Sequence, residues 1–297
     1  MDYISTKEAA LKWGISQRRV RILCEEGAVK GVLRVGKSYN IPKDAKKPFD
    51  KRFKQLTLEI IYNLIEEKKL ILNSKRPLTK GELERLNEDF LISYTYNSNA
   101  IEGSTLTLNE TAIALKGVTI SQKPLRDYLD AIQHRDAFEY VKKLVSTKEV
   151  LSELTIKEIH SIVLNDRPMD RGVYRQIGVR ILGASIIPPN PLKIPELMRN
   201  LIKEYPINPT IKDITRFHVM FERIHPFIDG NGRTGRLIMN FELIRLGYPP
   251  IDIKFSDRDE YYVSLNQYGL NNNSSAIERL IALNVLDSIS NILSILE

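Results

Sequence analysis

Cysteine is nearly missing from this chain. Cys24 stands alone, which excludes an internal disulfide and any zinc cage built on several thiolates. Histidine is scarce as well: His134, His160, His218 and His225 show no metal-ligand spacing of the His-Glu-x-x-His kind, and the first three read as core or structural residues. No unbroken apolar run reaches the length of a membrane span, so no membrane segment is expected. The opening residues, Met-Asp-Tyr-Ile-Ser-Thr, lack a basic stretch followed by an apolar one. Together these absences point to a reducing cytoplasm. What remains is ordinary globular material, 42% hydrophobic and 27% charged over 297 residues, enough for one large or two modest domains.

Positive charge is unevenly placed. Residues 1–54 hold 14 Lys and Arg against 6 Asp and Glu, whereas the remainder is close to neutral although the whole chain carries +7. Within that basic segment Ser5 or Thr6 can cap a helix running to about Trp13, with Gly14 ending it. Ser16 can cap a second helix, residues 17–26, which bears Arg18, Arg19 and Arg21. Residues 32–35 and 38–41 then read as two short strands around Gly36-Lys37. This order is similar to the small winged helix-turn-helix modules of MerR and excisionase type, with 42–48 as a linker. That resemblance implies DNA binding, with Arg18, Arg19 and Arg21 toward the groove or phosphates and Arg34 and Lys37 on the wing. A solvated basic face, or a protein-docking module, fits the same charges.

The densest chemistry lies in twelve residues, His225-Pro226-Phe227-Ile228-Asp229-Gly230-Asn231-Gly232-Arg233-Thr234-Gly235-Arg236. An imidazole titrates near neutrality and can accept a proton from a hydroxyl. Asp229 offers the single carboxylate that Mg²⁺ commonly takes beside substrate phosphates. Gly230 and Gly232 let an anion approach the backbone, and Asn231 adds amide donors. Arg233 and Arg236 carry planar forks suited to phosphate oxygens. Before the segment, Ile214, Phe217, Met220, Phe221 and Ile224 recur at helical spacing. After it come Leu237, Ile238, Phe241, Leu243 and Ile244, stopped by Gly247 and Pro249. A helix–loop–helix is therefore expected, with the glycines opening the second helix, where free N–H groups favour anions.

These twelve residues match every fixed position of the Fic (Fido) signature, His-Pro-Phe-x-Asp/Glu-Gly-Asn-Gly-Arg-x-x-Arg, and the chain resembles that family over roughly residues 50–285. The resemblance implies transfer of AMP from ATP to a Ser, Thr or Tyr hydroxyl of a target protein. It implies His225 as general base, Asp229 as Mg²⁺ ligand, and Gly230, Asn231 and Gly232 as an anion hole. Asn231 and Arg233 would then meet the phosphates and Arg236 the γ-phosphate.

Ser98-Asn99-Ala100-Ile101-Glu102-Gly103, followed by Thr105-Leu106-Thr107-Leu108, is similar to the family's inhibitory motif. Ser98 and Glu102 share a helix face. By resemblance Glu102 pairs with Arg236 and excludes the γ-phosphate. Arg171 to Gln176, with Val179, Ile181, Ile186 and Ile187 around Gly183, is similar to the family's flap, a β-hairpin that pairs with the target's main chain. A purely structural hairpin has the same pattern. Tyr261-Tyr262 match an adenine-side tyrosine pair, but Gly269 stands where the family often has asparagine. Asn271, Asn272 and Asn273 follow closely. A tyrosine pair on a helix serves packing as readily as recognition.

The expected fold is mainly α. It comprises a winged module at 1–48, a helical region at 49–150 with the inhibitory motif, a Fic-type helical core with its β-hairpin flap at 151–285, and a helix end at 286–297. Long amphipathic helices are expected in 50–90 (Leu56, Ile60, Ile61, Leu64, Ile65) and 125–148 (Leu129, Ile132, Phe138, Val141, Val145). Two other readings stay open: a DNA-binding regulator whose Fic domain is sensory, and removal of AMP or transfer of another phosphate-linked group. The oligomeric state is also open, with a homodimer among the options.

Overall fold

The computed structural model describes every residue except 1, 14, 26, 28, 37, 46–55, 76, 78, 181–186, 272 and 297. The described elements run β1 (Tyr3–Ser5), α1 (Thr6–Trp13), α2 (Gln17–Glu25), β2 (Leu33–Val35), β3 (Ser38–Pro42), α3 (Leu58–Ser74), α4 (Lys80–Ile101), α5 (Leu108–Leu115), α6 (Leu125–Ser146), α7 (Glu153–Val163), α8 (Ile194–Lys203), α9 (Ile211–Ile224), α10 (Asn231–Arg245), α11 (Arg258–Asn271) and α12 (Ser275–Leu296). By compactness the chain divides into Met1–Asp89 with Leu286–Glu297, and Phe90–Val285. The break expected at 150/151 instead falls inside the second unit, where α6 and α7 pack side by side.

In the first unit the two expected helices and the hairpin are present. Ser5 caps α1 reciprocally with Glu8: the Ser5 N–H donates to Glu8 Oε2 at 2.7 Å and the Glu8 N–H donates to Ser5 Oγ at 3.2 Å. A third strand was not anticipated. Residues Tyr3–Ser5 pair antiparallel with β3, giving the order β1-β3-β2 with Ile4 opposite Ile41 and Arg34 opposite Tyr39. Three residues ahead of a helix cap offer no period-2 run to read, so only the pairing reveals this strand. Ala9, Trp13, Val20, Leu23, Cys24 and Ile41 form the small core. Arg18 and Arg21 sit on the exposed face of α2, Arg19 is half-buried, and Arg34 is exposed above the Tyr39 ring at 5.6 Å. Lys37 and residues 46–48 of the expected linker lie outside the described residues.

The second unit is a helical assembly. Its core joins Phe138 and Val141 of α6, Ile156 and Ile159 of α7, Met198 of α8, Phe217 and Phe221 of α9, Phe241 of α10, and Tyr94 of α4. Local sequence explains where these helices start. Thr107, Ser152 and Thr210 each form reciprocal capping boxes, with Glu110, Thr155 and Asp213. On α6 the buried face centres on His134, Ala137, Phe138 and Val141, while Leu129 and Ile132 are only half-buried.

Helix α12 is long and apolar enough to cross a membrane by length and composition. Polar residues such as Asn284 and Asp287 interrupt its apolar run, which hides it from a search for unbroken stretches. Ile277, Ile281, Ala282 and Val285 line a buried stripe of that helix, as a core helix also would.

Because Phe241 is fully buried among these aromatic side chains, Phe241→Ala is expected to lower unfolding stability by about 3–5 kcal/mol in urea titrations. A loss below about 1 kcal/mol would show that α10 is not packed as described.

Candidate active site

Helix α9 ends at His225, which takes the left-handed conformation (φ 48°, ψ 61°) and whose N–H still donates to Phe221 O at 2.9 Å. A non-glycine residue in that region is uncommon and needs support from its surroundings. Arg175 supplies it. Its Nε donates to His225 O and its Nη1 to Ile177 O, both at 2.8 Å, while Nη2 reaches Pro189 O at 2.8 Å. Its backbone N–H donates to Pro226 O at 2.9 Å. One buried guanidinium thus ties both flanks of the segment expected to be a flap to the turn carrying His225. The hairpin itself, centred on Gly183, lies outside the described residues.

The turn is locked from below. Phe227 is fully buried and stacks on His160, with ring centroids 3.6 Å apart and planes 5° from parallel. The Gly172 N–H donates to His160 Nδ1 at 2.8 Å, so Nε2 carries the proton that it donates to Asp229 O at 3.0 Å. Burial holds His160 down at about 4, which keeps that neutral form at physiological pH. Asn231 closes the loop: Phe227 N–H donates to its Oδ1, and its Nδ2 donates to Phe227 O, both at 2.9 Å. This adds a structural role to Asn231. Its Oδ1 and one N–H of its Nδ2 are committed to the turn's own backbone, so its side chain braces the turn as well as offering a donor.

Gly230 (φ 74°) caps α10 without any side-chain hydrogen bond, leaving the first N–H groups of that helix free of a capping side chain. A carboxylate already lies over this nest. Glu102 Oε1 accepts from Arg236 Nη2 at 2.8 Å, and a Cβ on Gly232 would collide with that same oxygen. Arg236, 1% exposed, also donates from Nε to Ser98 Oγ at 3.0 Å and from Nη2 to Ser98 O at 2.8 Å. Burial alone would lower its pKa, but Glu102 and other neighbouring oxygens outweigh this and raise it. Two buried donors, Arg236 Nη1 and Arg233 Nε, have no partner among the described residues. Arg236 Nη1 lies 3.0 Å from the Cβ position of Gly232.

His225 is half-buried, and desolvation lowers it to about 4 despite the nearby carboxylates Glu102 and Asp229. Its ring is therefore an unprotonated proton acceptor at neutral pH. Glu222, one turn earlier, is pushed up to about 8 by burial and holds its proton near neutrality.

Asp229 sits among cations. Its Oδ1 accepts from the Gly230 N–H at 2.7 Å, and its Oδ2 lies 2.6 Å from Arg126 Nη2 and 3.2 Å from Arg167 Nη1. Burial pushes its pKa up, but Arg233, the Gly230 N–H, Arg126 and Arg167 together hold it below the usual carboxylate range. Arg233 is 3% exposed and pairs directly with Asp130, a partner invisible in the sequence because α6 lies a hundred residues upstream. Among the described residues no group of three or more His, Cys, Asp and Glu could cage a metal. One ionised carboxylate beside an anion nest nevertheless suits Mg²⁺, which keeps waters and takes its other ligands from phosphates.

The adenine-side expectation fails for one tyrosine. Tyr261 is 1% exposed and its hydroxyl lies 2.6 Å from His218 Nε2, so it packs the core. Tyr262 is half-buried under Arg258, 4.9 Å from its ring, and its hydroxyl donates to Ile101 O at 3.4 Å. The side chain of Asn271 and all of Asn272 lie outside the described residues. Asn273 Oδ1 accepts from Ser275 N and Oγ at the start of α12.

A half-buried imidazole at a left-handed helix end, followed by a glycine-capped helix start under two arginines, defines a helical domain built around a turn suited to an anion. Residues 150–243 match the model of the Fic/DOC family. The chain is 33% identical over 224 residues to a protein adenylyltransferase Fic of Nematostella vectensis, covering 73% of this chain and 52% of that one. A Drosophila melanogaster protein of the same name is 30% identical over 223 residues, covering 70% of this chain and 45% of that one. The chain spans about half the length of the curated relatives it matches. Its fold is similar to a Fic domain-containing signaling protein of Bacteroides thetaiotaomicron (TM-score 0.68, 28% identical, covering 78% of this chain and 94% of that one). It is also similar to a segment of Fic-1 from C. elegans (TM-score 0.67, 28% identical, 80% and 70%).

No spacing rule links Arg175 to a turn 50 residues away, so its bond to His225 is invisible in the flap segment's own sequence. Arg175→Ala is expected to destabilise the fold by at least about 2 kcal/mol in denaturant titrations, since hydrogen bonds from a charged donor each contribute about 1.5–3 kcal/mol. Arg175→Lys cannot reproduce the fork and should recover little. Full recovery by lysine would show that charge rather than geometry matters here.

Proposed function

We propose that the protein is an adenylyltransferase that moves AMP from ATP onto a Ser, Thr or Tyr hydroxyl of another protein. One observation carries the reading: a carboxylate, Glu102, already occupies the anion nest over Gly232 while Arg236 keeps a buried donor unused. The free N–H groups at the start of α10 and the two arginines suit a polyphosphate. The relatives' shared name, protein adenylyltransferase, supports the same class.

In this mechanism the polyphosphate lies over Gly230 to Arg233. His225, unprotonated at neutral pH, takes the proton of the attacking hydroxyl as that oxygen bonds to the α-phosphorus. The bond from the α-phosphorus to the bridging oxygen breaks, and pyrophosphate leaves. Loop amides and Arg233 stabilise the charge that develops, and Asn231 keeps those amides aligned through Phe227. Asp229 would hold Mg²⁺, whose chemistry is to neutralise phosphate charge.

Glu102 acts as a brake in this proposal. Its carboxylate and a γ-phosphate would compete for Arg236 and for the same space, so ATP would bind in an unproductive pose. Releasing Glu102 should therefore reveal activity. With α-labelled ATP, Glu102→Gly is expected to label protein strongly above wild type, and adding His225→Ala should remove about 10²–10⁴-fold of that rate. No increase on releasing Glu102 would remove the brake. Labelling from γ-labelled ATP instead would identify kinase chemistry.

The basic first unit supports a second role in DNA binding. Arg18 and Arg21 stand exposed three residues apart on α2, opposite its buried Val20, Leu23 and Cys24, and Arg34 is exposed on β2. A gel shift with the full chain at low salt is expected to show DNA retention that falls steeply as salt rises. The triple substitution Arg18→Ala, Arg21→Ala, Arg34→Ala should abolish it. No retention by wild type at low salt would defeat this role.

A further inference from the structure

Asp229 is the one acidic side chain of the signature, yet three arginines surround it. Their exposures separate them into two kinds. Arg233 is 3% exposed and paired with Asp130, so it is fixed. Arg126 and Arg167 are 56% and 34% exposed, and both approach the same oxygen, Oδ2, at 2.6 and 3.2 Å. Arg126 also breaks a local rule. It stands in the first turn of α6, where the helix dipole disfavours a cation, and that helix start has no side-chain cap. Such a residue needs a long-range partner to justify its place. It has a fallback as well: Asp130 Oδ2 lies 3.7 Å from Arg126 Nε, one turn along the same helix.

Resting on the proposal that Asp229 holds Mg²⁺ when nucleotide is bound, we propose that Arg126 and Arg167 are exchangeable counter-ions that keep free divalent cations off Asp229. With no nucleotide, the two guanidinium groups occupy the oxygen that a metal would take. A metal arriving alone must displace both cations and stand among three positive side chains. A metal arriving with a polyphosphate brings several negative charges, to which the released guanidinium groups can turn. Arg126 can also fall back on Asp130. The pair therefore makes metal binding conditional on nucleotide. Arg126 and Arg167 are positioning residues in this scheme, acting through Asp229.

The test measures metal affinity directly. Full-length protein carrying Glu102→Gly is titrated with Mn²⁺, followed by its electron paramagnetic resonance, with and without a non-hydrolysable ATP analogue. Without nucleotide, adding Arg126→Gln and Arg167→Gln is expected to tighten Mn²⁺ binding at least tenfold, and a further Asp229→Asn should abolish that gain. Arg126→Lys with Arg167→Lys should return affinity to the parent value, because the positive charge is restored. A simple structural role for the arginines would weaken metal binding on removal, not strengthen it. Unchanged or weaker Mn²⁺ binding in the glutamine variant overturns the counter-ion assignment, as does a gain that survives Asp229→Asn. If the parent still binds the analogue with Mn²⁺ in that case, the nucleotide site stands and only this inference falls. If the parent binds no nucleotide at all, the functional proposal itself falls.

Discussion

A guanidinium with almost no access to water has to be given oxygen partners, and Arg236 sets that requirement at the centre of the second unit. Removing a charge from water is costly unless its hydrogen-bonding capacity is met nearby. Ser98 contributes a hydroxyl and a carbonyl and Glu102 a carboxylate, all from the end of α4. Meeting that requirement joins α4 to α10 and brings a negative group onto the glycine turn. The same geometry leaves one donor of Arg236 unmet. A fold that stopped at stability would have no reason to keep a buried donor idle.

The turn beneath this pair is rigid for reasons of its own. Phe227 is stacked on His160, clamped by the Asn231 amide, and flanked by the Arg175 fork. Phe227, His160 and Arg175 do not face a substrate in the proposed chemistry. Their effect is to hold a strained histidine and a row of backbone N–H groups in fixed relation, so little reorganisation is needed when charge develops. Electrostatics around the turn follow the same division of labour. Burial removes the proton from His225 and leaves one on Glu222, while cations keep Asp229 ionised. Three titratable groups within eight residues thus settle as a neutral base, a neutral acid and an anion because their surroundings differ.

Much of this was legible beforehand where the physics is local. Capping residues such as Ser5, glycines at helix ends and apolar spacing along α9 and α10 act within a few residues of themselves, so reading the chain in order recovers them. The pairing of Glu102 with Arg236 was reachable only through family resemblance, since nothing in their own neighbourhoods links them. Tyr261 shows the opposite failure. It is a polar group that could face a ligand, and it turns inward because a closer protein partner, His218, is available. The strand at Tyr3–Ser5 escaped notice because a strand that short exists only through its partner. Helix α12 escaped a search for unbroken apolar runs because a few polar side chains sit along it.

Sequence alone determined the turn, its two helices and the inventory of base, carboxylate and arginines, because those follow from short-range sterics and hydrogen bonding. Tertiary structure decided which of the polar groups are already spent. Asp130 on Arg233, Arg126 and Arg167 on Asp229, and Arg175 on the His225 carbonyl each join segments some 50 to 100 residues apart. Charge and donor balance at such distances depend on how helices pack, and no periodicity along the chain encodes it.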